Sequence, residues 1–224
     1  MTDADDTDRD DTDRETAMAD ELDDVRERLR AMVRAGFTPL RDVVRAATDL
    51  LEPDVGAAPR AAAVDAAYRE WHRRVQEEES WTDEGDYAKL AAAFGELASA
   101  GVVARMNFAC CNSCGTTEIA GETDDVDVVP RGFTFFHGQE AEQLGEMPST
   151  LFLSFGVRPE HLVAWHSDDT PVALRPETPD EAVHVVGRMV ADAVARHGLP
   201  VRWEGDPARK IEVSVTDWRK KLPL

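Results

Sequence analysis

The stretch GVVARMNFACCNSCG occupies Gly101–Gly115, and its reading decides the fold. Upstream of Gly101 apolar residues return every third or fourth position. From Val102 they alternate: Val102, Ala104, Met106, Phe108 and Cys110 on one side, Val103, Arg105, Asn107, Ala109 and Cys111 on the other. A period of two is that of a strand, so the chain changes here from helices to sheet. The expected strand runs straight into all three cysteines of the chain, Cys110, Cys111 and Cys114. Extended geometry carried that far would turn the two adjacent thiols to opposite faces.

Working back from Gly101, four amphipathic helices are expected. One begins near Ala19 with Leu22, Val25, Leu29 and Met32 and stops at Gly36; a second follows Thr38 as N-cap and Pro39 as first helical residue. A third covers about 60–78, with Val64, Ala67, Tyr68, Trp71 and Val75 inward, and a fourth about 84–100. Working forward, strands are expected at Gly132–His137, Thr150–Phe155, Val201–Glu204 and Lys210–Thr216, the last two as a hairpin. The segment 157–177 suggests a short hairpin around SDDT. Between the strands, Thr178-Pro-Asp-Glu181 is a capping box that opens a helix closed by Gly198. Helices followed by strands predict an α+β fold with a largely antiparallel sheet and one long helix packed on it. Residues 1–17 hold almost no apolar side chain and read as a disordered acidic tail. Residues 18–224 read as a single domain, helical to about 101 and sheet-rich beyond.

The 224 residues carry 45 acidic and 25 basic side chains, a formal net charge of −20. That balance argues against a nucleic-acid partner. Abundant Asp, Ala and Arg with few lysines is the composition of a protein hydrated in concentrated salt, or simply of a GC-rich genome. The start of the chain lacks the basic and apolar regions of a signal peptide and no run is long enough to span a bilayer, so a cytoplasmic protein with no membrane partner is expected. Three clustered cysteines cannot staple distant parts of a fold, which fits a reducing compartment.

Cys111-x-x-Cys114-Gly115 has the spacing of a zinc knuckle, with the glycine expected to free backbone N–H groups for the sulfurs. Two more ligands would have to come from Cys110, Glu118, His137, Glu140 or another distant residue. His137, beside Gln139 and Glu140, is the best remote candidate, giving Cys111, Cys114 and His137 as the metal set. A redox centre would need a lowered thiol pKa. Arg105, on the strand face of Cys111, could supply it, but GTTEIAGETDD after the cysteines reads as a poor helix. Cys110, in phase with Met106 and Phe108, reads as a packed core thiol. Asp168-Asp169 reads as a turn, His72 as lying on a solvated face, and His197 as a cation at a helix end.

The pieces Ala93-Phe94, Asn107-Phe108, Cys110-Cys111, Cys114-Gly115, Glu118-Ile119, Phe136-His137-x-Gln139-Glu140, Gly198-Leu199, Trp203 and Trp218 together resemble a family of bacterial proteins built on a domain of unknown function. The resemblance covers roughly residues 20–221. It departs at Glu140, where the family pattern has Asp. It implies a family and no activity, cofactor or substrate.

No known catalytic motif is present, so the sequence points first to a non-enzymatic binding or interaction module with a protein or small-molecule partner. A zinc-binding protein is the alternative, and a thiol-redox enzyme the third reading.

Overall fold

The computed structural model describes residues 4–124, 129–166 and 175–223. Its contacts divide the chain into two compact units, 1–81 with 221–224, and 82–220.

The first unit is three helices: α1 (Ala4–Ala35), α2 (Leu40–Asp49) and α3 (Ala57–Glu78). Helix α1 takes in the helix expected from Ala19 and extends upstream into the acidic run; propagation past a packed segment costs little once the helix is nucleated. Val25, Leu29 and Val33 of α1 pack with Val43 and Ala47 of α2 and with Ala63, Ala66 and Ala67 of α3. The inward face of α3 is therefore made of alanines, which let helix backbones come close. Tyr68 and Val75, expected inward, are 43% and 38% exposed. Arg74 is buried instead, its guanidinium 4.4 Å from the Trp81 ring and donating to the Arg34 carbonyl at 3.0 Å. Pro39, not Thr38, is the N-cap of α2, and no side chain caps that end. The Pro39 carbonyl takes the amides of Asp42 and Val43.

The second unit is built on a sheet of order β1-β2-β3-β5-β4, from β1 (Val102–Arg105), β2 (Gly132–Phe135), β3 (Ser149–Gly156), β4 (Val201–Arg202) and β5 (Ile211–Val215). The pairing is antiparallel except for β1 on β2, where Val103 lies beside Phe133 and Arg105 beside Phe135. The fold is thus α+β, and β4 and β5 form the expected hairpin. The connection from β1 to its parallel neighbour is α5 (Asn112–Asp124), which the sequence marked as a poor helix. Against the other face lie α4 (Asp86–Ser99) and α8 (Pro179–Arg196); a Cβ at Gly132 would come within 2.8 Å of Val186 in α8. Short helices α6 (Gly138–Gln143) and α7 (Leu162–Trp165) complete the unit.

Helix α8 opens as expected, with Thr178 Oγ1 accepting the Glu181 amide at 3.3 Å. The Glu181 carboxylate returns to the amide of Glu177 rather than that of Thr178. At its C-terminus Gly198 (φ 85°) donates to Ala195 O and Leu199 to Val194 O, the paired bonds of a Schellman ending. The His197 ring meets Glu96 at 2.9 Å, so it has a carboxylate neighbour as well as the helix end. Residues 159–165 form a 3-10 turn (Pro159–His161) and α7, and the hairpin expected around SDDT lies outside the described residues. Asp168 and Asp169 lie outside the described residues.

Candidate metal and thiol site

Strand β1 stops at Arg105, well short of the cysteines. The chain then holds to β2 through Phe136 N to Arg105 O (3.3 Å) and Phe108 N to Phe136 O (2.9 Å). Asn107 and Ala109 turn it out of the sheet in the left-handed region, at φ 49° and 58°. Such values are uncommon away from glycine and gather at functional sites. The amides of Gly138 and Gln139 bond Ala109 O and Cys110 O at 3.0 and 3.4 Å, pinning this loop to the start of α6.

Gly115 N donates to Cys111 O at 2.9 Å, which makes Cys111 the residue capping α5. The Cys111 sulfur sits where an Asp or Ser oxygen usually would, against the free amides of the first turn. The Cys114 amide, then the Cys114 thiol, hold Cys111 below the ordinary thiol value, with help from the Cys110 thiol and the Ser113 amide. Cys114 is pushed the other way, up to about 12, by hydrogen bonding first to Cys110 and then to Cys111. The three sulfurs all lie within 4.8 Å of one another.

Several expectations are corrected here. The adjacent thiols do not face apart, because the strand ends before them and the two left-handed residues redirect the chain. Cys110 is exposed rather than packed, and Cys111 and Cys114 are half-buried. Arg105 does not assist Cys111: its guanidinium bonds Glu122 of α5 at 2.7 Å and the Ala104 carbonyl at 3.1 Å. Gly115 serves packing, since a Cβ there would come within 2.7 Å of Cζ in the Phe135 ring. Helix α5 forms despite its threonines, whose hydroxyls donate back to Asn112 O and Ser113 O. It is held by Ile119, which joins Val103, Phe133, Phe135 and Phe108 in one cluster.

Of the remaining candidates, Glu118 and Gln139 are exposed on α5 and α6. His137 and Glu140 are buried together, outside the sulfur group, with Nε2 to Oε1 at 3.6 Å. Lys210 joins them, 2.9 Å from Glu140 Oε1 and 3.4 Å from His137 Nε2. Burial, then the Lys210 charge, holds the His137 pKa below its ordinary value, and Glu140 only partly offsets this. His137 Nδ1 and Glu140 Oε2 are buried with no hydrogen-bond partner among the described residues. In the sequence Lys210 opens a strand and is no site candidate, because nothing local ties it to residues about seventy positions away.

The arrangement offers two kinds of chemistry. Three sulfurs this close can hold a thiophilic ion, and a thiol capping a helix with a second thiol three residues on can exchange disulfides. No helix among the described residues is long and apolar enough to cross a membrane. No curated protein and no solved structure matches the chain. The model of one family does match, over residues 18–222, and that family is described as a domain of unknown function, DUF6891. A match over nearly the whole chain carries the thiol loop, its helix and the sheet together, and the chain belongs to the DUF6891 family.

Proposed function

We propose that this chain is a non-enzymatic metal-binding module whose centre is Cys110, Cys111 and Cys114, with zinc as the ion. The observation that carries the reading is the convergence of three thiols within 4.8 Å. Thiolates on one tetrahedral zinc stand about 3.8 Å apart, given Zn–S bonds of about 2.3 Å, so binding requires only a small contraction. The N–H groups directed at Cys111 would also stabilise a thiolate in the bound state. In this reading Cys110 takes the place expected of His137 as the remote ligand. Three sulfurs leave a fourth position for water or for a group on a partner.

The test is the zinc content of untagged protein, with reactive thiols counted before and after a chelator. About one zinc per chain is expected, with three thiols unmasked on its removal. Cys110→Ser should weaken zinc binding, whereas His137→Gln should leave the stoichiometry unchanged. Freely reactive thiols and no uptake of added zinc would sink the reading.

The position of Cys111 at the α5 N-terminus, in a parallel β1-α5-β2 crossover, favours a second reading: thiol–disulfide exchange. The Cys111 thiolate would attack one sulfur of a substrate disulfide and expel the other as a thiolate. Cys114, losing its proton, would then displace the bound sulfur. The products are a Cys111–Cys114 disulfide and a reduced dithiol, with two electrons passed to the substrate. Cys114→Ser should accumulate a mixed disulfide at Cys111, detectable by mass; absence of that adduct with an excess of a small disulfide would exclude exchange.

A further inference from the structure

Beside α5, on the sheet face that carries Phe133 and Ser154, lies a cleft of about 250 Å³. Its walls include Asn112 and Thr116, one turn apart on α5, and Arg209 and Lys210 on the approach to β5. None of the three cysteines lines it, so it is a site separate from the thiols and independent of how they are read.

Its chemistry is unusual for this chain. The whole molecule carries 45 acidic residues, yet no acid among the described residues lines the cleft while two cations do, the Nε of Arg209 lying 3.8 Å from Asp206 Oδ2 outside it. Its side-chain amide acceptor is also engaged. Ser154 Oγ donates to Asn112 Oδ1 at 2.6 Å, which leaves the Asn112 amide hydrogens as donors. Thr116 donates its hydroxyl hydrogen to the Asn112 carbonyl and so is not among the donors to the cleft. The Lys210 ammonium is held from behind by buried Glu140, which fixes its position. Fixed donors and cations over a phenyl ring suit a ligand rich in acceptors, negatively charged, with an apolar body.

We propose that this cleft binds a small organic anion, a carboxylate joined to an apolar or aromatic group, through Arg209, Lys210 and the Asn112 amide. In such a cleft the carboxylate would meet the cations and the body would lie against Phe133.

The experiment is amide chemical-shift mapping of the full chain at low salt with three ligands: benzoate, its neutral isostere benzamide, and inorganic phosphate. Benzoate should give saturable shifts at Asn112, Ser154, Arg209 and Lys210, with benzamide and phosphate each about tenfold weaker, as expected when either the charge or the apolar body is missing. Arg209 is exposed, so Arg209→Gln should leave the spectrum otherwise intact; it should weaken benzoate several-fold while benzamide is unmoved. Equal binding of benzoate and benzamide, an unchanged benzoate affinity in Arg209→Gln, phosphate binding as tightly as benzoate, or the absence of saturable shifts at these residues would each overturn the proposal.

Discussion

At Gly115 the backbone of α5 comes so close to β2 that a methyl group has nowhere to go: the obstacle is the Phe135 ring, itself fully buried. Gly115→Ala should therefore cost about 1–3 kcal/mol by overpacking, although alanine is the better helix former. Gly121, in the same helix, has nothing among the described residues within 4 Å of where a Cβ would sit, so Gly121→Ala should stabilise by about 0.5–1 kcal/mol. Denaturant unfolding of the two variants is the check. Equal and small effects would mean that the approach of α5 to Phe135 is looser than described. The Cys-x-x-Cys-Gly spacing was legible in the sequence; the reason for its glycine was not. A glycine after a thiol fits both an N–H bond to sulfur and a close helix–sheet contact, and only the position of Phe135 chooses between them. Cys110 was misplaced for a related reason. Alternation beyond Arg105 was accidental once Asn107 and Ala109 left the extended region.

Between elements, the start of α4 is tied to the chain just after β5, with one carboxylate at the centre of the junction. Asp86 Oδ2 accepts the amides of Thr216 and Asp217 at 2.8 and 3.0 Å, and Oδ1 takes the Lys89 ammonium at 2.8 Å. The Asp86 amide in turn donates to Asp217 O at 2.7 Å, and Gly85 bridges Trp218. Burial alone would raise the Asp86 pKa, but Lys89 and the two amides outweigh it and hold the group below the ordinary carboxylate value. A folded pKa below the unfolded one means stability that is present above about pH 4 and lost as pH falls through the folded value. Asp86→Ala should cost about 3 kcal/mol at neutral pH, since it removes bonds to a charge and orphans two amides. The wild type should also lose stability faster than the variant as pH drops below about 4; parallel acid limbs in urea titrations would contradict this. This junction was not readable in advance, because it joins residues 130 apart. Helix α8 was readable, since Thr178 and Gly198 are local signals that do their expected structural tasks, and Glu181 reaches back one residue further than a capping box requires. Helix α5 falls between the two cases. Its propensity is poor, and tertiary contacts through Ile119 and Gly115 decide it.

For the whole molecule, the order of helices first and strands after was plain from the change of period at Val102, whereas the strand order β1-β2-β3-β5-β4 had no sequence signal. What composition does specify at this scale is charge. If every one of the 25 basic residues paired with an acid, 20 of the 45 acids would still face only solvent and one another. The pairs that do form on helix surfaces, such as Arg26 with Asp23, Arg45 with Asp42 and Arg73 with Glu70, are neighbours on one turn. Exposed pairs of this kind contribute a few tenths of a kcal/mol each, so weakening them with salt costs little. Self-repulsion acts over longer distances and is what salt relieves, as the Debye length falls from about 30 Å at 0.01 M to about 10 Å at 0.1 M and about 3 Å at 1 M. The midpoint of thermal unfolding should therefore rise with added KCl, and most of the rise should come below about 0.3 M, where screening of the longer separations is completed. Replacing KCl by sucrose at equal osmolality separates screening from exclusion of solute at the surface, because sucrose carries no charge. A midpoint that falls with KCl, or that rises only above about 1 M and equally with sucrose, would show that the excess of acids does not strain the folded state.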